Sequence, residues 1–448
     1  MPSLHPEFIK NMTDLLGGEA ADFLRALDED YSAALRINPL RANSAAAAED
    51  FIADPVPWAK YGHYIKENTR PGAGLAHFAG AFYIQEASAM LPAAVLDVQP
   101  GEKVLDLCAA PGGKSSQIAA ALMGEGVLVS NEPDTKRARM LAGNLERLGV
   151  KNAVVVNEYP PKLAEKWPGF FDAILVDAPC SGEGMFRREP VSRDVWQPGS
   201  PEGCAKRQAG ILDCAAEMLR PGGRMVYSTC TYNTAENENT VAAFLERHPE
   251  FTAQDFRAEG IGSSANGMLK IYPHRVRGDG QFAALLIKSG DAEPAPIPAP
   301  ALKKGRQRKP DPAQEAMSAF VSQFGDMLPA GGGTPVIWGE SLAYTPAGAP
   351  PIDGIKTVSP GLILAKIIGK RLEPEHQLAM CMETLPGCEL TDEQATAFVR
   401  GEAVECTGAG WLVARWQGMP LGWGKASGGV LKNHVPKGIR RNIAISDD

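Results

Sequence analysis

Between residues 76 and 290 the chain alternates short, almost continuous apolar runs with longer stretches whose apolar side chains recur every three or four positions. The first pattern predicts strands and the second amphipathic helices. Strands are predicted over 103–107, 126–131, 153–157, 171–177 and 224–228, and helices over 85–96, 114–122, 134–148, 205–219 and 234–247. Turn residues punctuate them at Gln99-Pro100-Gly101-Glu102, Pro168-Gly169 and Pro221-Gly222-Gly223. Strands alternating with helices in this way specify an α/β fold built on a parallel, doubly wound sheet. Two more apolar runs, Ile271-Tyr272 and 282–287, predict an antiparallel edge.

The flanks read differently. Residues 1–75 are mixed, with Phe8, Met12, Leu15 and Leu16 at helical spacing and an extended stretch over 28–40. Arg36 and Arg41 frame an Asn38-Pro39 stop and predict exposed cations fit to lie beside a phosphate backbone. Residues 291–312 form a linker, proline-rich over 293–300 and then basic over 303–309. Residues 313–448 predict a separate unit. It has a capped helix after Thr391-Asp392-Glu393-Gln394 and a hairpin pairing 411–416 with 421–425 around Gly418. The domains are therefore expected at 1–75, 76–290 and 313–448.

A chain of 448 residues exceeds what one core usually serves, in keeping with this division. The net charge of −8 excludes a general polycation, so any nucleic-acid contact must use local clusters such as 303–309 and Lys432 to Arg441. The eight cysteines are scattered without a C-x-x-C pair. They predict reduced thiols and no metal site. No basic, apolar leader opens the sequence, and no apolar run is long enough to span a bilayer. A cytoplasmic protein that does not contact membrane is expected.

The chemistry lies at the predicted strand ends. The first strand runs into Cys108-Ala109-Ala110-Pro111-Gly112-Gly113-Lys114, a glycine turn that brings backbone close to a ligand. The spacing is that of neither a dinucleotide turn nor a phosphate-binding loop. Acids close four consecutive strands: Asp106, Glu132, Glu158 and Asp177. That crowding suits a cationic, hydroxyl-rich ligand, and S-adenosylmethionine, with its sulfonium, ammonium and ribose diol, fits. Two thiols follow neighbouring strands, Cys180 in Asp177-Ala178-Pro179-Cys180-Ser181-Gly182 and Cys230 in Tyr227-Ser228-Thr229-Cys230-Thr231. Carbon 5 of cytosine becomes nucleophilic only after a thiolate adds to carbon 6, so a thiol beside a methyl donor points to pyrimidine C5 methylation. Asp177 supplies an acid that can neutralise charge on the ring. The residues alone leave open which cysteine attacks.

The stretch Tyr83-Ile84-Gln85-Glu86-Ala87-Ser88, the cofactor turn, and the segments around Cys180 and Cys230 resemble the Nol1/Nop2/Sun family of RNA 5-methylcytosine methyltransferases, over residues 30–290. The tail from Gly418 to Arg441 resembles bacterial small-subunit rRNA methyltransferases of that family that end in a PUA-like domain. The resemblance implies a Rossmann-like S-adenosylmethionine-dependent methyltransferase sheet at 76–290, an RNA-binding N-terminal extension at 1–75, and a C-terminal RNA-binding region with a small α+β PUA-like domain. It implies Cys230 as nucleophile, Cys180 as an aid to release of the methylated base, and Asp177 in contact with both cytosine and cofactor. Residues Cys108 to Lys114 would wrap the cofactor, with Glu132 at the ribose and Glu158 by the adenine, where relatives commonly carry Asp. The expected substrate is RNA, 16S rRNA before tRNA, free or within the small subunit, met by a monomer with no metal. A non-catalytic ribosome-assembly protein is the reading from another class. The RNA path is expected along Arg187, Arg188, His274, Arg275 and Arg277, with Phe186, Tyr272 and Phe282 stacking on splayed bases and Trp411, Trp416 and Trp423 near the basic tail.

Overall fold

A computed structural model describes residues 3–290, 311–325, 332–382 and 385–441. The expected linker at 291–312 and its basic run at 303–309 lie outside the described residues, apart from Asp311 and Pro312, which open the helix Pro312–Phe324.

The central domain is built from β1 (Lys103–Asp106), α1 (Gly113–Leu122), β2 (Val127–Asn131), α2 (Thr135–Arg147), β3 (Ala153–Val156), α3 (Pro160–Lys166), β4 (Phe171–Asp177), α4 (Ser200–Met218), β5 (Leu219–Thr229), α5 (Glu238–Arg247) and β6 (Gln281–Lys288). The five strands β3-β2-β1-β4-β5 run parallel in that order, and β6 closes the sheet antiparallel to β5. Phe251–Ala253 and Met268–Ile271 pair with the outer side of β6, which bears out the expected antiparallel edge. Helices on both faces explain why the strands read as unbroken apolar runs. Val104, Leu128 and Leu175 meet α1 and α2 on one face, while Leu105, Val129, Ile174 and Val176 meet α3 and α4 on the other.

The predicted helix at 85–96 forms only over Leu91–Leu96, after a single turn at Ser88–Met90; just before it, Phe82–Ile84 is a strand of the N-terminal sheet, paired with Ala34–Ile37. That four-stranded sheet and the helices Pro6–Leu16 and Ala20–Ala26 make up the N-terminal region. Arg36 and Arg41 are buried there, against expectation. Arg36 donates to Gln85 Oε1, Gly113 O and Ser116 Oγ, tying the N-terminal sheet to the start of α1. Arg41 donates to the carbonyls of Met380 and Arg147. These cations satisfy buried carbonyls rather than phosphates.

The region after 312 is not separate. Its strand Thr357–Ser359 pairs antiparallel with β3 and extends the central sheet at that edge. Its five-stranded sheet shares one apolar cluster with the N-terminal sheet, joining Leu35, Ile37 and Phe82 to Phe398, Trp416 and Leu421. The capping box at Thr391 and Gln394 opens Asp392–Arg400, and the hairpin pairs Gly410–Trp416 with Met419–Ser427, both as predicted. Trp416 and Trp423 are buried and serve the cores of this region. Cys388 on one edge strand of its sheet and Cys406, just after the other, form a disulfide, which corrects the expectation of eight free thiols.

Candidate active site

The order β3-β2-β1-β4-β5 reverses direction between β1 and β4, and a crevice is expected there outside the carboxyl ends of the strands. A cavity of about 350 Å³ opens at that place, lined by Tyr83, Asp106, the turn from Cys108 to Lys114 apart from Gly112, Asp177, Arg188 and Cys230. Gly112 stands behind the lining at φ +114°, where a Cβ would come within 3.2 Å of Leu141 on α2. Only glycine lets this turn sit so close to the helix that follows β2.

Asp106 is fully buried at the end of β1. One oxygen accepts from Ser115 Oγ at 2.7 Å. The other, Oδ1, is buried without a well-formed hydrogen bond among the described residues. Burial, offset in part by the Ser115 hydroxyl, pushes its pKa up to about 7. Such an orphaned acceptor in a cavity wall suits a cationic ligand group. Across the cavity Lys114 Nζ donates to Asp177 Oδ2 at 2.7 Å, and Ser228 Oγ donates to Asp177 Oδ1 at 2.7 Å. Burial alone would lower the Lys114 pKa, but the charge and hydrogen bond of Asp177 outweigh it and hold it above the usual lysine value.

The thiols meet because Asp177 and Ser228 are register partners on β4 and β5, so the two chains leave the sheet side by side. Cys180 Sγ lies 3.1 Å from Cys230 Sγ, and the Cys230 N–H points at Cys180 Sγ at 3.3 Å. The hydrogen bond with Cys230, then burial, hold the Cys180 thiol well above the usual cysteine pKa, so Cys180 keeps its proton. Cys230 faces the cavity with Asp177 and Lys114, while Cys180 sits behind it. Burial raises Cys108 beyond the normal thiol range and leaves it a lining group.

The other expected residues are placed elsewhere. Glu132 is buried outside the cavity lining, accepting from the Asp134 N–H and pairing with Arg137 Nη1 at 3.2 Å. Glu158 also stands off the lining; its carboxylate accepts from Lys162 Nζ at 2.5 Å and from the Lys356 N–H at 2.9 Å. Phe186, Tyr272 and Phe282 are buried and offer no face to a base, which corrects their expected stacking role. Phe186 packs edge-on against Phe8, Tyr272 stacks on Tyr232, and Phe282 fills the sheet core. Of the expected basic path only Arg188 lines the cavity. Arg187 is buried against Asp279 at 2.8 Å; His274 and Arg275 bind Glu19, and Arg277 lies over the Tyr64 ring and beside Asp54. His274, Arg275 and Arg277 fasten the N-terminal region to the central domain, while Arg187 is held within the central domain. Sequence reasoning missed Gln281, whose amide donates to Asp177 at 3.3 Å, and gave Asp106 no contact of its own. The signal for Asp106 was present: a charged residue ending an otherwise apolar strand.

Comparison with known proteins matches this geometry. Residues 93–287 match a family model described as 16S rRNA methyltransferase RsmB/F. Residues 4–87 match the N-terminal domain of 16S rRNA methyltransferase RsmF, 319–382 its first C-terminal domain, and 387–441 its PUA domain. Ribosomal RNA small subunit methyltransferase F of Klebsiella pneumoniae (strain 342) is 33% identical over 94% of this chain and 93% of its own length. The protein of the same description from Pectobacterium atrosepticum is 30% identical over 99% of this chain and 97% of its own. A methyltransferase homolog protein from Pyrococcus horikoshii superposes with a TM-score of 0.56 at 30% identity, over 63% of this chain and 94% of that one. NSun6 from the same organism, solved with SFG, matches the fold with a TM-score of 0.56 at 22% identity, over 64% of this chain and 99% of that one. The chain belongs to the RsmB/F family of 16S rRNA methyltransferases, and it is an S-adenosylmethionine-dependent enzyme with a C-terminal PUA domain.

Proposed function

We propose that this chain methylates C5 of a cytosine in 16S rRNA, with Cys230 attacking C6 of the base and Cys180 assisting its release. The observation that carries the reading is the pair of unbonded sulfurs, 3.1 Å apart, with Cys230 open to the cavity that Asp177 and Lys114 also line. The donor fits the residues present: Asp106 offers a buried acceptor for its ammonium, and the turn from Cys108 to Lys114 offers close backbone. When bound, it supplies an electrophilic methyl group.

The side chains then divide the work. Cys230 adds to C6 as thiolate, which makes C5 electron-rich. Asp177, held by Lys114 and Ser228, would lie at the ring edge where charge develops, relaying a proton from Lys114 to N3 on addition and returning it on elimination. After methylation water takes the C5 proton, the C5–C6 double bond re-forms from that C–H electron pair, and the C6–sulfur bond breaks, returning its electrons to Cys230. Cys180, protonated beside that sulfur, can hand its proton to the departing thiolate. A paired base cannot reach C6, so the target must be unpaired or flipped out. The protein is read as a cytoplasmic monomer; no described helix is long and apolar enough to cross a membrane.

Cys230→Ala is expected to abolish methyl incorporation, and Cys180→Ala to trap a covalent RNA–protein adduct on denaturing gels. A trapped adduct with Cys230→Ala instead would reverse the assignment. Loss of one cytosine signal from 16S rRNA on bisulfite sequencing of a deletion strain would support the substrate. A lost tRNA signal would redirect it, and tight RNA binding without methyl transfer would favour an assembly factor.

A further inference from the structure

Two buried glutamates lie behind the thiols, and the chemistry above uses neither. Glu183 follows Cys180 by three residues, and Glu236 follows Cys230 by six. Each reaches over to the other thiol's loop. Glu183 Oε2 accepts from Thr231 Oγ1 at 2.5 Å, from the Tyr232 N–H at 2.9 Å and from the Asn233 N–H at 3.0 Å. Its Oε1 accepts from Trp196 Nε1 at 3.2 Å. Glu236 accepts from the Ser181 N–H at 3.0 Å, from the Ser181 hydroxyl, from Gln208 Nε2 at 2.8 Å and from Asn233 Nδ2 at 2.8 Å. The residue after Cys230 is thus held by a carboxylate from the Cys180 loop, and the residue after Cys180 by a carboxylate from the Cys230 loop.

Both residues are at most 1% exposed. A buried carboxylate is costly unless its oxygens are satisfied, and here all four are. Neutral hydroxyls could cap either loop separately. Carboxylates that cross over instead couple the two loops, so that neither sulfur moves without the other. The link is closed by Ser181 Oγ and Thr231 Oγ1, 3.0 Å apart, and by the Gly184 N–H, which donates to the Cys230 carbonyl at 2.9 Å. Gly184 leaves no slack, since a Cβ there would come within 2.8 Å of the Gly280 carbonyl and 3.0 Å of the Cys230 carbonyl.

We propose that Glu183 and Glu236 are positioning residues, a reciprocal clamp in which Glu183 holds Cys230 for attack and Glu236 holds Cys180 for release. The inference rests on the reading that Cys230 is the nucleophile. It divides two steps between two residues, because addition depends on the first sulfur and departure on the second. Displacement of a reacting group by about 1 Å costs on the order of 10²-fold in rate.

The test follows the RNA–protein adduct over time on denaturing gels with the full-length protein, in vitro transcribed 16S rRNA and S-adenosylmethionine. In Glu236→Gln an amide nitrogen must face two of the donors that Glu236 now accepts. This variant is expected to accumulate adduct as Cys180→Ala does, with kcat down about 10- to 100-fold and KM for the methyl donor within twofold. Glu183→Gln turns an amide toward the Trp196 N–H. It is expected to slow adduct formation to a similar degree without accumulation. Should either variant fail to fold, Ser181→Ala and Thr231→Val each delete one hydroxyl from the same two clamps. They are then expected to reproduce the same division at about threefold to tenfold. If the two sides change adduct level in the same direction, or change only thermal stability, the clamp is wrong. That failure is distinct from failure of the underlying reading, which would appear as adduct trapped by Cys230→Ala and not by Cys180→Ala.

Discussion

Four acids close four neighbouring strands of one sheet, yet they split into two pairs. Asp106 and Asp177 end β1 and β4, on either side of the place where the strand order reverses, and both line the cavity. Glu132 and Glu158 follow β2 and β3, further out, and neither lines it: Glu132 pairs with Arg137, which does line the cavity, and Glu158 is bonded to Lys162 and the Lys356 backbone. The inner pair meets the crevice because adjacent helices diverge to opposite faces there and leave the strand ends bare. At β3 a strand from the C-terminal region pairs along the edge, and the Lys356 backbone before it takes up the Glu158 carboxylate. An acid at a strand end is therefore not by itself part of the cavity wall; its distance from the switch point decides.

If the inner pair carries the chemistry, its loss should dominate. Asp177→Asn is expected to lower methyl transfer about 10³-fold, because it removes the proton-handling group at the ring and leaves Lys114 without its charge partner. Single-turnover rates with 16S rRNA would measure this, and a loss under tenfold would remove Asp177 from the mechanism. Asp106 should reveal itself through pH. Its raised pKa means that between the ordinary carboxylate value near 4 and about 7 the folded protein holds a proton that the unfolded chain has released. That contribution to stability is therefore lost as pH rises through this window. Methyl-donor binding has the opposite dependence, because an ammonium requires the ionised carboxylate. Its Kd should weaken about tenfold per pH unit below 7 and flatten above it. Calorimetric titrations from pH 5.5 to 8 would check this, and Asp106→Asn should abolish the slope. A flat profile for the unmodified protein would sink the assignment.

The strands, the cofactor turn and the thiol pair were legible because each depends on local pattern. Apolar runs mark β1 to β5, glycines mark the turn, and Cys180 and Cys230 follow strands whose register can be inferred from the α/β alternation. What was not legible depends on partners distant in the chain. Arg36 reads as an exposed cation until Gln85, Gly113 and Ser116 converge on it. Arg275 reads as a phosphate ligand until Glu19 folds back to meet it, a pairing that draws the Glu19 pKa down to about 2 through the Arg275 hydrogen bond. Cys388 and Cys406 look as isolated in sequence as Cys180 and Cys230, yet one pair is bonded as a disulfide and the other meets unbonded, with Cys230 at the cavity and Cys180 behind it. Glu183 and Glu236 gave no signal, since two glutamates near turns normally face water.

The weakest effect is expected at the outer pair, and Glu158 is where the comparison can break. The resemblance to RNA methyltransferases puts an acid here beside the adenine, whereas its contacts make it a tether. It accepts the Lys356 N–H one residue before Thr357–Ser359 joins β3, and the Asn157 N–H donates to the Lys356 carbonyl at 2.7 Å. The hydrogen bonds from Lys162 and Lys356 hold its pKa below the usual value even though burial acts the other way. Its stabilising contribution is therefore present above the normal carboxylate pKa and lost as pH falls through the lowered one. Glu158→Gln keeps an oxygen for one donor but not a charge for Lys162. It should cost about 1 kcal/mol of stability while changing the methyl-donor Kd by less than about threefold. Thermal melts and calorimetry on the same variant separate the outcomes. A Kd weakened tenfold or more at unchanged Tm would return Glu158 to the cofactor, and with it the idea that all four strand-end acids act as one set.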